Sequence, residues 1–222
     1  MNKIPGIDRF LYILYGIAAL SFLVLIIPFH PYPFSFLLKA IPVSCLIILS
    51  LRNTESRVRV LLFFALLFSV GGDIVLDIDR TRFFIFGLIF FLISHVFYMT
   101  LFMRQARFSK KKLLPVGFVL IYTIILSIIL RNIDATRIVP VYIYLFVIMG
   151  MTISAILFTP REKLDFPFLI PIGAGIFMLS DTIIAVNQFL IPITHSLVYS
   201  LTLYFTAQVL IISGFVLRRT KS

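Results

Sequence analysis

Polar residues are sparse along this chain and bunch at intervals, and between the bunches lie eight long apolar stretches. They cover roughly 9–27, 35–51, 58–77, 82–103, 113–130, 138–158, 166–187 and 195–217. Each is about 17–23 residues long, enough for a helix to cross a hydrocarbon core of roughly 30 Å. Strands of a membrane barrel would alternate over about ten residues, and these stretches do not alternate. The pattern predicts an all-α polytopic membrane protein: a bundle of eight transmembrane helices, built as a single domain over residues 1–222.

The breaks between stretches are short. Pro28, Pro31 and Pro33 mark the first turn, Arg52 to Arg59 the second, and Asp77-Ile-Asp79-Arg80 the third. Arg104 to Lys112, Arg131 to Arg137 and Thr159 to Asp165 make the next three, and Pro192 marks the seventh. Connections this short predict antiparallel packing of sequence neighbours. Fifteen of the 20 Lys and Arg residues fall at the termini and in the even-numbered loops, against four in the odd-numbered ones. By the positive-inside rule both termini are cytoplasmic. The first apolar run is followed by prolines and not by a small-residue cleavage site, so it reads as a retained helix and not a signal peptide.

A hydrophobic share of 61% exceeds the roughly 45–50% of soluble domains and leaves no room for a separate soluble domain. The net charge of +11 is scattered over the loops. That distribution fits topology and anionic membrane lipids as partners, and not nucleic acid. The lone Cys45 rules out an internal disulfide. Oligomeric state leaves no signal in the sequence.

Against this apolar background a few polar residues inside the spans stand out. Asp73 and Asp181 are the acids well inside spans, where a carboxylate costs roughly 2.5–3.5 kcal/mol on insertion scales. Such residues usually face a polar cavity and carry function. With spans three and seven running outward, both acids fall near the outer ends, and Lys39, near the start of inward-running span two, shares their layer. His95, Tyr204 and Gln208 fall deeper. Ser196, Ser200, Tyr204 and Gln208 recur every four residues and draw one polar stripe down span eight. Ser69 shares a helix face with Asp73, and His95 with Tyr98. Together these positions predict a polar funnel opening outward, with Gly71-Gly72 allowing close helix approach beside Asp73.

Two carboxyls in one low-dielectric pocket do not both ionise cheaply, which suits Asp73 and Asp181 to general acid/base work. The plainer reading has each bonded to a neighbouring helix, or one paired with Lys39. Lys39 either binds a phosphate or extends its amine to the outer headgroups. His95 either handles water or protons, or makes an interhelical hydrogen bond. His30 and His195 belong to the outer interface. No HExxH motif or His/Cys cluster supports a metal, and no GxSxG context supports a serine nucleophile. A small proton-coupled transporter or lipid-handling protein using the two acids is the alternative of a different class. A metal-dependent lipid hydrolase is a further one.

Lys39-Ala-Ile-Pro42, Ser69-Val-Gly-Gly-Asp73, then Gly87, His95 and Tyr98, Ser180-Asp181, and Tyr204 with Gln208 are similar, in order and spacing, to the YhhN family, which includes the TMEM86-type lysoplasmalogenases. The family pattern reads Lys-Pro where this chain has Lys39-Ala40. The resemblance implies hydrolysis of the vinyl ether bond of a lysophospholipid, the lysoplasmalogen. The products would be a fatty aldehyde and glycerophosphoethanolamine or glycerophosphocholine, formed with no nucleotide or redox cofactor. In that chemistry a proton added to the vinyl β-carbon leaves an oxocarbenium ion, to which water adds. One neutral acid and one carboxylate are needed, as in a glycosidase. Asp73 and Asp181 would fill those parts, Lys39 would hold the phosphate, and His95, Tyr98, Tyr204 and Gln208 would shape the substrate site.

Overall fold

The computed structural model describes residues 5–29, 32–160 and 164–217. His30, Pro31, part of the sixth loop, Lys3 and the basic residues after Leu217 lie outside these. Among the described residues the chain is helical without strands, and eight helices are long and apolar enough to cross a membrane. They are α1 (Gly6–Phe29), α2 (Ser35–Asn53), α3 (Ser56–Ile78), α4 (Phe84–Met103), α5 (Leu113–Ile129), α6 (Ala135–Leu157), α7 (Leu169–Phe189) and α8 (Ser196–Val216). Lipid offers the backbone no hydrogen-bond partners, so each apolar run closes its own bonds as a helix. Side chains such as Ile13, Leu20, Phe118 and Ile121 stay exposed along the bundle's flanks, as a lipid-facing surface requires.

The helix ends fall within three residues of expectation, and two of the shifts move a named residue. Pro28 does not end the first helix, because a proline in the last turn forfeits little, and α1 continues to Phe29. The third helix runs on to Ile78, so Asp77 is a helical, buried residue and not part of the turn.

α3 packs against α2 and α4, α7 against α8, and α2 against α8. α6 bridges α4 and α7, while α5 packs on α6 at the margin. The most apolar stretch of α8 is 56% buried inside the bundle and that of α5 only 22%, which makes α8 the central post and α5 an outrigger. Without a hydrophobic force between helices in lipid, close packing carries the association. A Cβ on Gly72 would lie 2.7 Å from the Phe91 ring, and one on Gly173 would lie 2.9 Å from the Ala207 carbonyl oxygen. These two glycines bring α3 onto α4 and α7 onto α8, and so set the helices that carry Asp73 and Asp181.

Candidate active site

The first acid is tightly held. Ser69, Asp73 and Asp77 follow one another at four-residue steps on α3 and are all buried. Opposite them, Phe34 takes a left-handed conformation (φ 60°) ahead of α2, turning the chain so that the Ser35 hydroxyl donates to Asp77 Oδ2. One turn further on, Lys39 is 2% exposed. Its amine lies 3.4 Å from Asp73 Oδ1 and 3.9 Å from Asp77 Oδ1, and donates to the Asp73 carbonyl at 3.2 Å. Lys39 therefore does not extend to the headgroups; its charge is met by buried acids. From α8 the Tyr204 hydroxyl donates to Asp73 Oδ2 at 2.6 Å.

The second acid is held on one side only. Asp181 on α7 accepts the Tyr144 hydroxyl of α6 on Oδ2 at 2.5 Å. His95 Nε2 of α4 meets the same oxygen at 3.1 Å, and lies 2.9 Å from the Tyr144 oxygen. His95 Nδ1 is buried with no partner, and the ring edge meets Phe177 at a centroid distance of 4.7 Å. A doubly protonated ring would bury an N–H without an acceptor, so a neutral ring donating through Nε2 fits this network. Both bonds fall on Oδ2, and among the described residues none falls on Oδ1. The Asp181 side chain is 13% exposed, against 1% for Asp73.

Asp73 and Asp181 do not bond to one another. They line one small polar cavity together with Lys39, Arg80 and Tyr204. About 20 Å³ of it is open to the centre of a water molecule, and one water needs roughly 10–15 Å³ by that measure. Asp181 also lines a second, apolar pocket, walled by Leu88, Leu145, Met178 and Phe189 among others, with about 60 Å³ open to the centre of a water molecule. Leu76, Phe91, Asp181 and Ile184 belong to both, so the two spaces meet at Asp181.

Of the residues singled out in the sequence, Lys39, Asp73, Asp181 and Tyr204 converge on the cavity. His95 stands behind Asp181. Tyr98 and Gln208 line neither space: the Tyr98 hydroxyl donates to Gln208 Oε1 at 2.7 Å, and Gln208 Nε2 donates to Ser69 Oγ at 3.0 Å. Ser69 in turn shares a 2.8 Å hydrogen bond with Ser94. This closed network ties α3, α4 and α8 together below the site. His195 is exposed.

Tyr144, Asp77 and Arg80 were missed in the sequence. The Asp73–Asp77 spacing would have disclosed Asp77; nothing local marks Tyr144 among the aromatic residues of its run. Arg80, in the turn after α3, is half-buried. Burial lowers its pKa, and Asp77 and Asp73 pull it back up; an arginine so supported stays charged. Among the described residues no three His, Cys, Asp or Glu side chains gather as a metal site would need.

Lysoplasmalogenase TMEM86A of Homo sapiens is 28% identical over 190 residues, covering 80% of this chain and 76% of that protein. Lysoplasmalogenase TMEM86A of Bos taurus is 27% identical over 187 residues, again 80% and 76% of the two chains. No solved structure matches. The YhhN family model matches residues 34–215, from the left-handed Phe34 to the last turn of α8 and so across both acids; the chain belongs to the YhhN family.

Proposed function

We propose that this chain is a membrane-embedded lysoplasmalogenase that hydrolyses the vinyl ether of an alkenyl lysophospholipid. One observation carries the reading: Asp181 stands where an apolar pocket meets a water-sized polar cavity, with Asp73 lining that same cavity. An alkenyl chain in the apolar pocket brings its first double bond to Asp181, and water reaches the same carbons from the polar side. The relatives' names support the substrate class.

The unlike surroundings of the two acids divide the chemistry between them. Asp181, its Oδ2 occupied by Tyr144 and His95, carries its proton on Oδ1 and gives it to the β-carbon. The oxocarbenium ion that forms is stabilised by Asp73, which Lys39 holds as a carboxylate. Water adds to the cationic carbon and passes a proton to Asp73. The hemiacetal hydroxyl then returns a proton to Asp181 while Asp73 protonates the departing glycerol oxygen, and aldehyde leaves. Both acids end as they began. General acid/base help of this kind is worth roughly 10²–10⁴-fold.

Purified protein in detergent, assayed side by side on alkenyl, alkyl and acyl lysophospholipids, tests the reading. Aldehyde release from the alkenyl substrate alone is the expected result. Cleavage of the acyl ester in its place, or no turnover where a transporter would have no compartments to connect, contradicts it.

A further inference from the structure

The amine of Lys39 is buried among acids: it donates to the Asp73 carbonyl at 3.2 Å, and Asp73 Oδ1 and Asp77 Oδ1 lie 3.4 and 3.9 Å away. A substrate phosphate would have to compete with two buried carboxylates for it. Arg80 is the opposite case. It lines the same cavity as Asp73, Asp181 and Tyr204, and among the described residues its guanidinium forms no hydrogen bond or ion pair. Asp77 and Asp73 act on it only at a distance. The neighbouring Arg82 is differently occupied, its guanidinium lying 5.5 Å from the centroid of the Phe83 ring and its backbone N–H donating to Asp79 Oδ1. Another polar group within the field of Asp77 is the Tyr32 hydroxyl, just ahead of α2, which has no hydrogen-bond partner among the described residues.

A cavity-lining guanidinium with its full fork of donors unspent is suited to a phosphate, which it can grip through two parallel bonds. In a lysophospholipid the phosphate lies one glycerol unit from the ether oxygen, and Arg80 and Asp181 line the same cavity. Resting on the lysoplasmalogenase reading above, we infer that Arg80, and not Lys39, is the residue that binds the substrate's phosphodiester. Lys39 then serves Asp73, and Arg80 gives the site its preference for phosphorylated alkenyl lipids over alkenylglycerol.

The test compares two alkenyl substrates, one with the glycerophosphoethanolamine headgroup and one ending in free glycerol, on wild-type protein and Arg80→Gln. Loss of a charge-assisted pair predicts a KM for the phosphorylated substrate raised about 10- to 100-fold relative to that for alkenylglycerol, with kcat changed less than threefold. Arg80→Lys, which keeps the charge and loses the fork, falls between on the phosphorylated substrate alone. It carries the comparison if Arg80→Gln fails to fold. An unchanged KM for the phosphorylated substrate, or an equal loss on both substrates, overturns the assignment while leaving the hydrolase reading intact. If wild-type protein turns over neither substrate, the hydrolase reading fails first. Glycerophosphoethanolamine then tests the site by itself: it should raise the melting temperature of wild-type protein and not that of the Arg80 variants, and equal shifts in both contradict a phosphate site at Arg80.

Discussion

Two carboxylates share one cavity, yet the molecule treats them differently. The α3 acid is met on both oxygens, by Lys39 and Tyr204, and is sealed from the lipid side. The α7 acid has both its donors on one oxygen and opens onto the apolar pocket. An acid fixed by a cation is equipped to remain a carboxylate; an acid with one oxygen unspoken for, beside an apolar chain, is equipped to hand over a proton. The difference lies in the neighbours each helix packs against, since the two acids are chemically the same residue.

The sharpest way to break this contrast is to neutralise each acid in turn. Asp181→Asn should lower kcat by roughly 10²–10⁴-fold and leave the melting temperature close to wild type, because Asn can still accept from Tyr144. Asp73→Asn should lose activity to a similar degree and also destabilise the protein, since it strips Lys39 of its nearest charge partner. Activity assays and thermal unfolding of both variants in the same detergent read this out. Equal stability in the two would remove the distinction.

A smaller effect sharpens it from the other side. Lys39→Met leaves Asp73 and Asp77 buried without their cation, and breaking a buried pair by removing one partner costs about 3–5 kcal/mol. Adding Asp73→Asn should recover part of that loss, a coupling that a double-mutant cycle measures. Smaller again, Tyr144→Phe removes one donor from Asp181 Oδ2 and should reduce kcat about tenfold with KM little changed. Smallest of all, Tyr98→Phe unties Gln208 beneath the site. It should cost about 0.6–2 kcal/mol of stability and leave kcat and KM within a factor of two.

The helices were legible because runs of about twenty apolar residues between charged clusters admit little else. The convergence of Lys39, Asp73, Asp181 and Tyr204 was legible for a related reason: polar residues inside such runs are costly, and they share the partners that lower the cost. What escaped was set by packing. Asp77 and Arg80 looked like an ordinary charged turn, since the sequence does not show that the end of α3 is buried against α2. Tyr144 lies in Val-Tyr-Ile-Tyr, and only the seating of α6 between α4 and α7 aims its hydroxyl at Asp181. His95 and Tyr98 share one face of α4, yet one joins the acid and the other the network below. Helical spacing gives the face, and the neighbouring helix decides what that face meets.

Protonation of carbon at this site leaves a mark in the product. Hydrolysis of an alkenyl lysophospholipid by the purified protein in D₂O should place one deuterium on the carbon next to the aldehyde, because the hydron delivered by Asp181 exchanges with solvent before each turnover. Run in D₂¹⁸O, the same hydrolysis should leave the glycerol oxygen unlabelled, because water adds to the vinyl carbon; ¹⁸O at the glycerol hydroxyl would mean that the bond is broken on its glycerol side without protonation of carbon by Asp181, and the division of labour between Asp181 and Asp73 would be contradicted.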